Sequence, residues 1–233
     1  MDKFLTLVNS KNPFKDEMVE DFEMVTIIDD NGYVPLYKRN FQKEMEAYSA
    51  LEPDLQSEIK LTQIEKHTLE ACVKLSKKFH EQGIALSLTS AHRSLADQEQ
   101  IFNDLVKEKG LNQASLIAAK PGESEHHLGL AIDLKIAYET EQKPKLSQKV
   151  MGAVRKLPVI RSKSILALQK QLINAAPEFG LVQRYPEDKQ KITGIPGERW
   201  HFRFVGPTHA QAMQAQGLCL EEYISSLNLT QAK

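Results

Sequence analysis

Three short segments hold residue types that could do chemistry together. The first is SEHHLGLAID at 124–133, where His126 and Asp133 stand seven positions apart around Gly129. A neutral imidazole and a carboxylate supply one nitrogen and one oxygen suited to Zn²⁺, and a glycine permits the tight turn between them. His127 offers the same nitrogen chemistry as His126, so the segment by itself leaves that choice open. The plain structural reading is a Ser-Glu turn leading into a core strand. Asp133 would then be a carboxylate buried in LGLAIDL, which is unfavourable without a partner.

The second segment is GERWHFRF at 197–204, with His201 close to Glu198. Two histidines and one aspartate would leave the fourth tetrahedral position to water, the open arrangement of a catalytic zinc. Cys72 and Cys219 stand in no ligand-like spacing to these segments, so neither is expected to close the site. Glu198 is then free to act as a general base, taking a proton from the attacking water and handing it to a leaving amine. Three positions is an odd spacing, so on a regular strand Glu198 and His201 face opposite ways. Pro196 and Gly197 are therefore expected to turn the chain there, and Trp200 is expected to pack in the core. The third segment is TSAHRSLADQ at 89–98. There Arg93 could donate two hydrogen bonds to a developing oxyanion or a carboxylate, and Gln98, one turn further on, could bind the same ligand. His92 reads as a turn residue.

The elements that must position these groups are those of an α+β domain with a small antiparallel sheet flanked by helices. Ile64, Thr68, Cys72, Leu75 and Phe79 recur at steps of three and four, which predicts a helix over 61–82 that stops at Gly83. A strand follows at 84–90. Ser94 and Asp97 form a capping-box pattern that opens a helix closed by Gly110, so Arg93 falls at a strand-to-helix junction. A buried strand is predicted at 128–136, a helix at 165–180 and an alternating strand at 199–205. That last strand sets His201 and Arg203 on one face and Trp200, Phe202 and Phe204 on the other. A helix from about 208 to 216 finishes the pattern.

Composition bounds the alternatives. Thirty Lys and Arg against 31 Asp and Glu leave a net charge of −1 over 233 residues, so no basic surplus points to nucleic acid. No apolar run reaches the roughly 18 residues that a membrane span requires. The start, MDKFLTLVNSKNPFKDE, lacks the apolar core of a secretory signal, and two cysteines make no disulfide framework. Free buried thiols in a reducing cytoplasm are the expectation. Local charge is less even: no acidic residue falls between Glu141 and Glu178, while Lys143, Lys145, Lys149, Arg155, Lys156, Arg161, Lys163 and Lys170 do. This basic insertion, at about 138–163, is either a solvated loop or a flap that meets an anionic substrate.

In order and spacing, the three segments resemble the zinc D,D-peptidases of the VanY, VanX and VanXY type. SAHRS with Gln98, SEHHLGLAID against SxHxxGxAxD, and ERWHFRFVG against ExWHxRxVG carry the likeness. RYPEDKQKITGI at 184–195 and LVNSKNPF near the start extend it over most of the chain, and the signal-less VanXY form is the most similar. The resemblance implies a single peptidase domain over 1–233 that holds one Zn²⁺ by His126, Asp133 and His201. It implies Glu198 as catalytic base and Arg93 as the oxyanion-stabilising group. Arg93, Gln98 and Ser124 would bind the substrate.

The same resemblance implies D-alanyl-D-alanine carboxypeptidase or D-Ala-D-Ala dipeptidase activity in the cytoplasm on D-Ala-D-Ala-terminated peptidoglycan precursors, with a role in vancomycin-type resistance. Two positions depart from the pattern: His92 replaces an aromatic residue before the arginine, and Arg199 replaces a proline before Trp200. An endolysin-like L-Ala-D-Glu peptidase and a non-catalytic zinc-binding module are the competing readings of the same architecture.

Overall fold

In the computed structural model, which describes residues 2–138 and 162–231, β1 (Met24–Ile28) pairs antiparallel with β2 (Leu61–Glu65). A second sheet joins β3 (Ile84–Ser90), β4 (Ala131–Tyr138), β5 (Leu181–Tyr185) and β6 (Glu198–Phe204) in the order β3-β4-β6-β5, every neighbouring pair antiparallel. The helices among the described residues are α1 (Phe41–Ser49), α2 (Pro53–Ser57), α3 (Lys66–His80), α4 (Leu95–Lys109) and α5 (Leu111–Ile117). After these come α6 (Ser162–Ala175), α7 (Gln190–Thr193), α8 (Pro207–Gln216) and α9 (Leu220–Gln231). The α+β expectation therefore holds, with two small sheets where one was expected. The basic stretch from about 138 to 163 lies almost wholly outside the described residues.

Side-chain alternation assigns the two faces of the larger sheet. Leu86, Leu134, Ile136, Phe202 and Phe204 point into the main core, where Leu69, Cys72, Leu75 and Phe79 of α3 and Leu168 and Leu172 of α6 meet them. Asp133 and His201 alternate to the opposite face and stand directly across from each other in the β4-β6 register. A second apolar cluster joins Leu5 near the start of the chain to Val182, Met213, Leu220 and Tyr223, which ties α8 and α9 to the sheet.

The predicted helix over 61–82 divides into β2 and α3. Ile64 continues the helical spacing by coincidence, because pairing with β1 holds 61–65 extended. Glu65 then ends the strand and starts the helix: its buried carboxylate accepts the Thr68 N–H at 2.9 Å. The predicted strand at 128–136 begins later, at Ala131, because Glu125–Leu128 form a 3-10 turn closed by Gly129 in the left-handed region, φ +69°. The helix at 165–180 ends at Ala175 and passes into a 3-10 turn over Ala176–Phe179. The strand at 199–205, the helix after Ser94 and the helix after Pro207 agree with β6, α4 and α8 within a residue or two. Cys72 and Cys219 are free and buried, as expected.

A Cβ on Gly129 would meet Met24 Cε at 2.5 Å and the Glu65 backbone nitrogen at 3.2 Å. Gly129→Ala should therefore destabilise the protein by about 2–4 kcal/mol, combining left-handed strain with overpacking. Chemical denaturation of the two proteins checks this value.

Candidate active site

A β-bulge next to the site aims the first group. Leu88 pairs with Leu134 but Ser90 pairs with Asp133, so β3 holds one extra residue there. The chain then leaves the sheet through Ala91 and His92. The Arg93 N–H donates to His126 O at 3.2 Å, before the Ser94–Asp97 capping box opens α4. Arg93 is held along its whole guanidinium. Nε donates to Ser90 Oγ at 3.0 Å, Nη2 to Asp133 Oδ2 at 2.9 Å and Nη1 to Gln98 Oε1 at 3.4 Å. The Gln98 Nε2 in turn donates to Ala119 O at 2.7 Å. Gln98 therefore braces Arg93 as well as lining the cavity, a tie that helical spacing alone does not reveal.

Ser124 caps the 3-10 turn, its Oγ accepting the His126 N–H at 3.4 Å. The turn separates two adjacent histidines that the sequence could not rank. His127 engages both ring nitrogens: Nδ1 contacts Arg93 O at 2.7 Å, and Nε2 accepts the Gly122 N–H at 3.1 Å. These partners assign a neutral ring protonated at Nδ1, with no nitrogen left for a metal. His126 places Nδ1 on Ala91 O at 2.5 Å, which assigns the proton to Nδ1 and turns the Nε2 lone pair towards Asp133 Oδ2, 3.6 Å away.

His201 places Nδ1 3.5 Å from Asp133 Oδ1 and 3.2 Å from Glu198 Oε2. The odd spacing of Glu198 and His201 is accommodated within β6 itself. Gln183 pairs with Phe202 and Tyr185 with Glu198, so Arg199, Trp200 and His201 together face only Arg184, and strict alternation lapses. Pro196 and Gly197 do not make the turn expected of them. A Cβ on Gly197 would come within 2.8 Å of the Glu187 Cα, so the glycine serves close backbone packing. The same irregularity overturns the expectation for Trp200, which is 49% exposed at the cavity rim and not in the core.

The donor atoms of His126, Asp133 and His201 all lie within 4.8 Å of one another, a spacing suited to one metal ion. His126 Nε2 and Asp133 Oδ1 are buried and lack a hydrogen-bond partner, an arrangement that a cation would satisfy. Electrostatics agree with the donor set. Burial, helped by the Arg93 charge, holds His126 below the usual imidazole value, so it is neutral and ready to ligate. Burial alone would raise Asp133, but His126, His201 and Arg93 outweigh it and hold the carboxyl at about 2.

These groups open into a cavity of about 240 Å³. Arg93, Gln98, Ser124 and Glu198 bring polar atoms to it, and Ile101, Leu105 and Ile117 form an apolar wall. All the residues singled out for the site are thus brought together. Tyr185 was missed, although it lines the cavity and packs edge-on against His201 with ring centroids 4.9 Å apart. Its position in RYPEDK was the available signal.

A family model described as VanY, D-alanyl-D-alanine carboxypeptidase, matches residues 61–207, a span that contains every one of these groups. The chain belongs to the VanY family. Among similar proteins is the bifunctional D-Ala-D-Ala dipeptidase and D-Ala-D-Ala carboxypeptidase VanXYC of Enterococcus gallinarum. It is 36% identical over 139 residues, which are 59% of this chain and 65% of that one. The matched stretch thus spans just under two thirds of that relative's length.

Among solved structures, a mutant of the vancomycin resistance D,D-pentapeptidase VanY from a VanB-type cassette, in complex with Zn(II), shares the fold. Its TM-score is 0.63 at 24% identity, covering 96% of this chain and 99% of that one. VanYB in complex with D-alanine-D-alanine gives 0.62 at 25% identity, covering 95% and 97%.

Proposed function

We propose that the protein is a zinc-dependent D,D-peptidase that removes terminal D-alanine from D-Ala-D-Ala, from peptidoglycan precursor peptides, or from both. The observation that carries this reading is the open donor set of His126, Asp133 and His201 with Glu198 and Arg93 in the same cavity. The residues present fit Zn²⁺, one per chain. When bound there, zinc supplies Lewis acidity and lowers the pKa of water.

The chain's own groups do the rest. Glu198, whose Oε2 lies 3.2 Å from His201 Nδ1, is assigned to take the proton of the attacking water and return it to the leaving amine. Arg93, tethered at three nitrogens, keeps a second N–H on each terminal nitrogen for the oxyanion that develops on the scissile carbonyl. Because the guanidinium is already fixed, little reorganisation accompanies the step. Gln98 and Ser124 line the same cavity and are assigned to the C-terminal carboxylate of the substrate. The cavity volume suits one or two small residues, and its wall of Ile101, Leu105 and Ile117 suits a methyl side chain.

The proposed compartment is the cytoplasm. The supporting feature is the pair of free buried cysteines, which a reducing compartment keeps as thiols. A role in vancomycin-type resistance belongs to the same proposal, by likeness to relatives of that description. The test is D-alanine release from D-Ala-D-Ala and from a UDP-linked pentapeptide, measured in parallel. Release from either supports the peptidase, and the ratio places it between dipeptidase and carboxypeptidase. Cleavage of only an L-Ala-D-Glu bond would overturn the reading in favour of an endolysin-like enzyme.

A further inference from the structure

Beneath the cavity lies a buried carboxylate that the mechanism does not use. Glu125 precedes His126, and its side chain is fully buried. One oxygen is heavily engaged: Oε1 accepts from Arg184 Nε at 2.8 Å and pairs with Arg203 Nη1 at 3.0 Å. Both guanidiniums are themselves buried and anchored elsewhere. Arg184 forms a two-pronged pair with Glu221 of α9 at 2.9 and 2.6 Å, and Arg203 Nη2 donates to Phe4 O and Thr6 O at 3.0 and 2.6 Å. Two cations and two carboxylates balance in this cluster, so Glu125 has a structural reason to be charged. The two arginines outweigh the effect of burial and hold its carboxyl below the ordinary value.

The other oxygen, Oε2, is buried and has no hydrogen-bond partner, and the same is true of His201 Nε2. A carboxylate oxygen and an imidazole N–H are complementary, and Arg203 links the two residues. His201 and Arg203 are two positions apart on β6, and Arg203 reaches Glu125. With Nδ1 turned towards Asp133 and Glu198, the ring has only Nε2 to offer on its far side.

We infer that Glu125 Oε2 accepts the Nε2–H of His201 when the metal is bound, which makes Glu125 a positioning residue for that ligand. The bond fixes the tautomer protonated at Nε2, leaves the Nδ1 lone pair for the metal and stops the ring from turning. Through Arg184 and Arg203 it also connects the site to α9 and to the first residues of the chain. The assignment rests on the zinc reading of the site and adds to it a residue that touches neither metal nor substrate.

The test combines the wild-type protein with a matched pair of variants. In zinc-loaded protein carrying ¹⁵N-histidine, long-range ¹H–¹⁵N spectra should show His201 protonated at Nε2, with a proton slow to exchange with water. Glu125→Gln should weaken zinc binding about 10–100-fold. Glu221→Gln breaks the same ion cluster without reaching His201, so it should lower thermal stability while zinc affinity stays within about twofold of wild type. Equal loss of zinc affinity in both variants, or a rapidly exchanging His201 Nε2–H, overturns the inference. If Glu125→Gln fails to fold, the wild-type spectrum decides. Failure of the wild-type protein to take up zinc contradicts the proposed function itself, so the two failures are told apart.

Discussion

Replacing Glu198 by alanine should lower turnover by about 10²–10⁴-fold while leaving zinc bound. The reason is positional. Glu198 stands outside the group of His126, Asp133 and His201, yet its Oε2 is 3.2 Å from the Nδ1 that His201 turns towards that group. Its removal takes away the proton acceptor and the alignment of the attacking water, but no metal donor. The expected kinetic signature is a fall in kcat with KM little changed, because the assigned substrate contacts at Arg93, Gln98 and Ser124 remain. Metal content measured on the same samples should stay at one zinc per chain. Turnover near that of the wild type would contradict the assignment of Glu198, and so would loss of zinc.

Replacing His201 by alanine should have the opposite signature. It removes one of three donors and leaves Asp133 facing His126 and Arg93 alone. Zinc should then be lost on dialysis. Activity should fall by on the order of 10³-fold or more, since a bound metal supplies several kcal/mol of transition-state stabilisation. The fold should survive, because Phe202 and Phe204 continue to pin β6 to α3 and α6 from the other face. Circular dichroism like that of the wild type, together with absent zinc, separates this outcome from unfolding. Retention of tight zinc binding would remove His201 from the donor set.

Asp133 and His201 were legible as a pair because each falls in a short segment whose local structure is strongly determined. Asp133 and His201 sit in apolar strands with clear alternation, so their common face follows from period two, and their pairing follows once β4 and β6 are neighbours. The choice between His126 and His127 was not legible, because it depends on contacts with Ala91, Arg93 and Gly122 from distant turns. The approach of Glu198 to His201 was misread for a related reason. The lapse in alternation lies in the pairing of β6 with β5, which no spacing within 196–201 encodes.

The start of α3 was also misplaced, because long-range pairing with β1 overrides a helical spacing that looks continuous from Ile64 onward. Arg203 did carry a signal. A strand that sets an arginine on the same face as a buried histidine demands a buried carboxylate, and Glu125 supplies it.

The central claim is that a metal held by His126, Asp133 and His201 makes this protein a D,D-peptidase. The most direct measurement is D-alanine release from D-Ala-D-Ala and a pentapeptide precursor by chelator-stripped protein as zinc is added back. The account predicts activity that is absent in the stripped protein, rises linearly and stops rising at one zinc per chain. Release that persists undiminished after stripping, or full zinc occupancy with no release from either substrate, would contradict it.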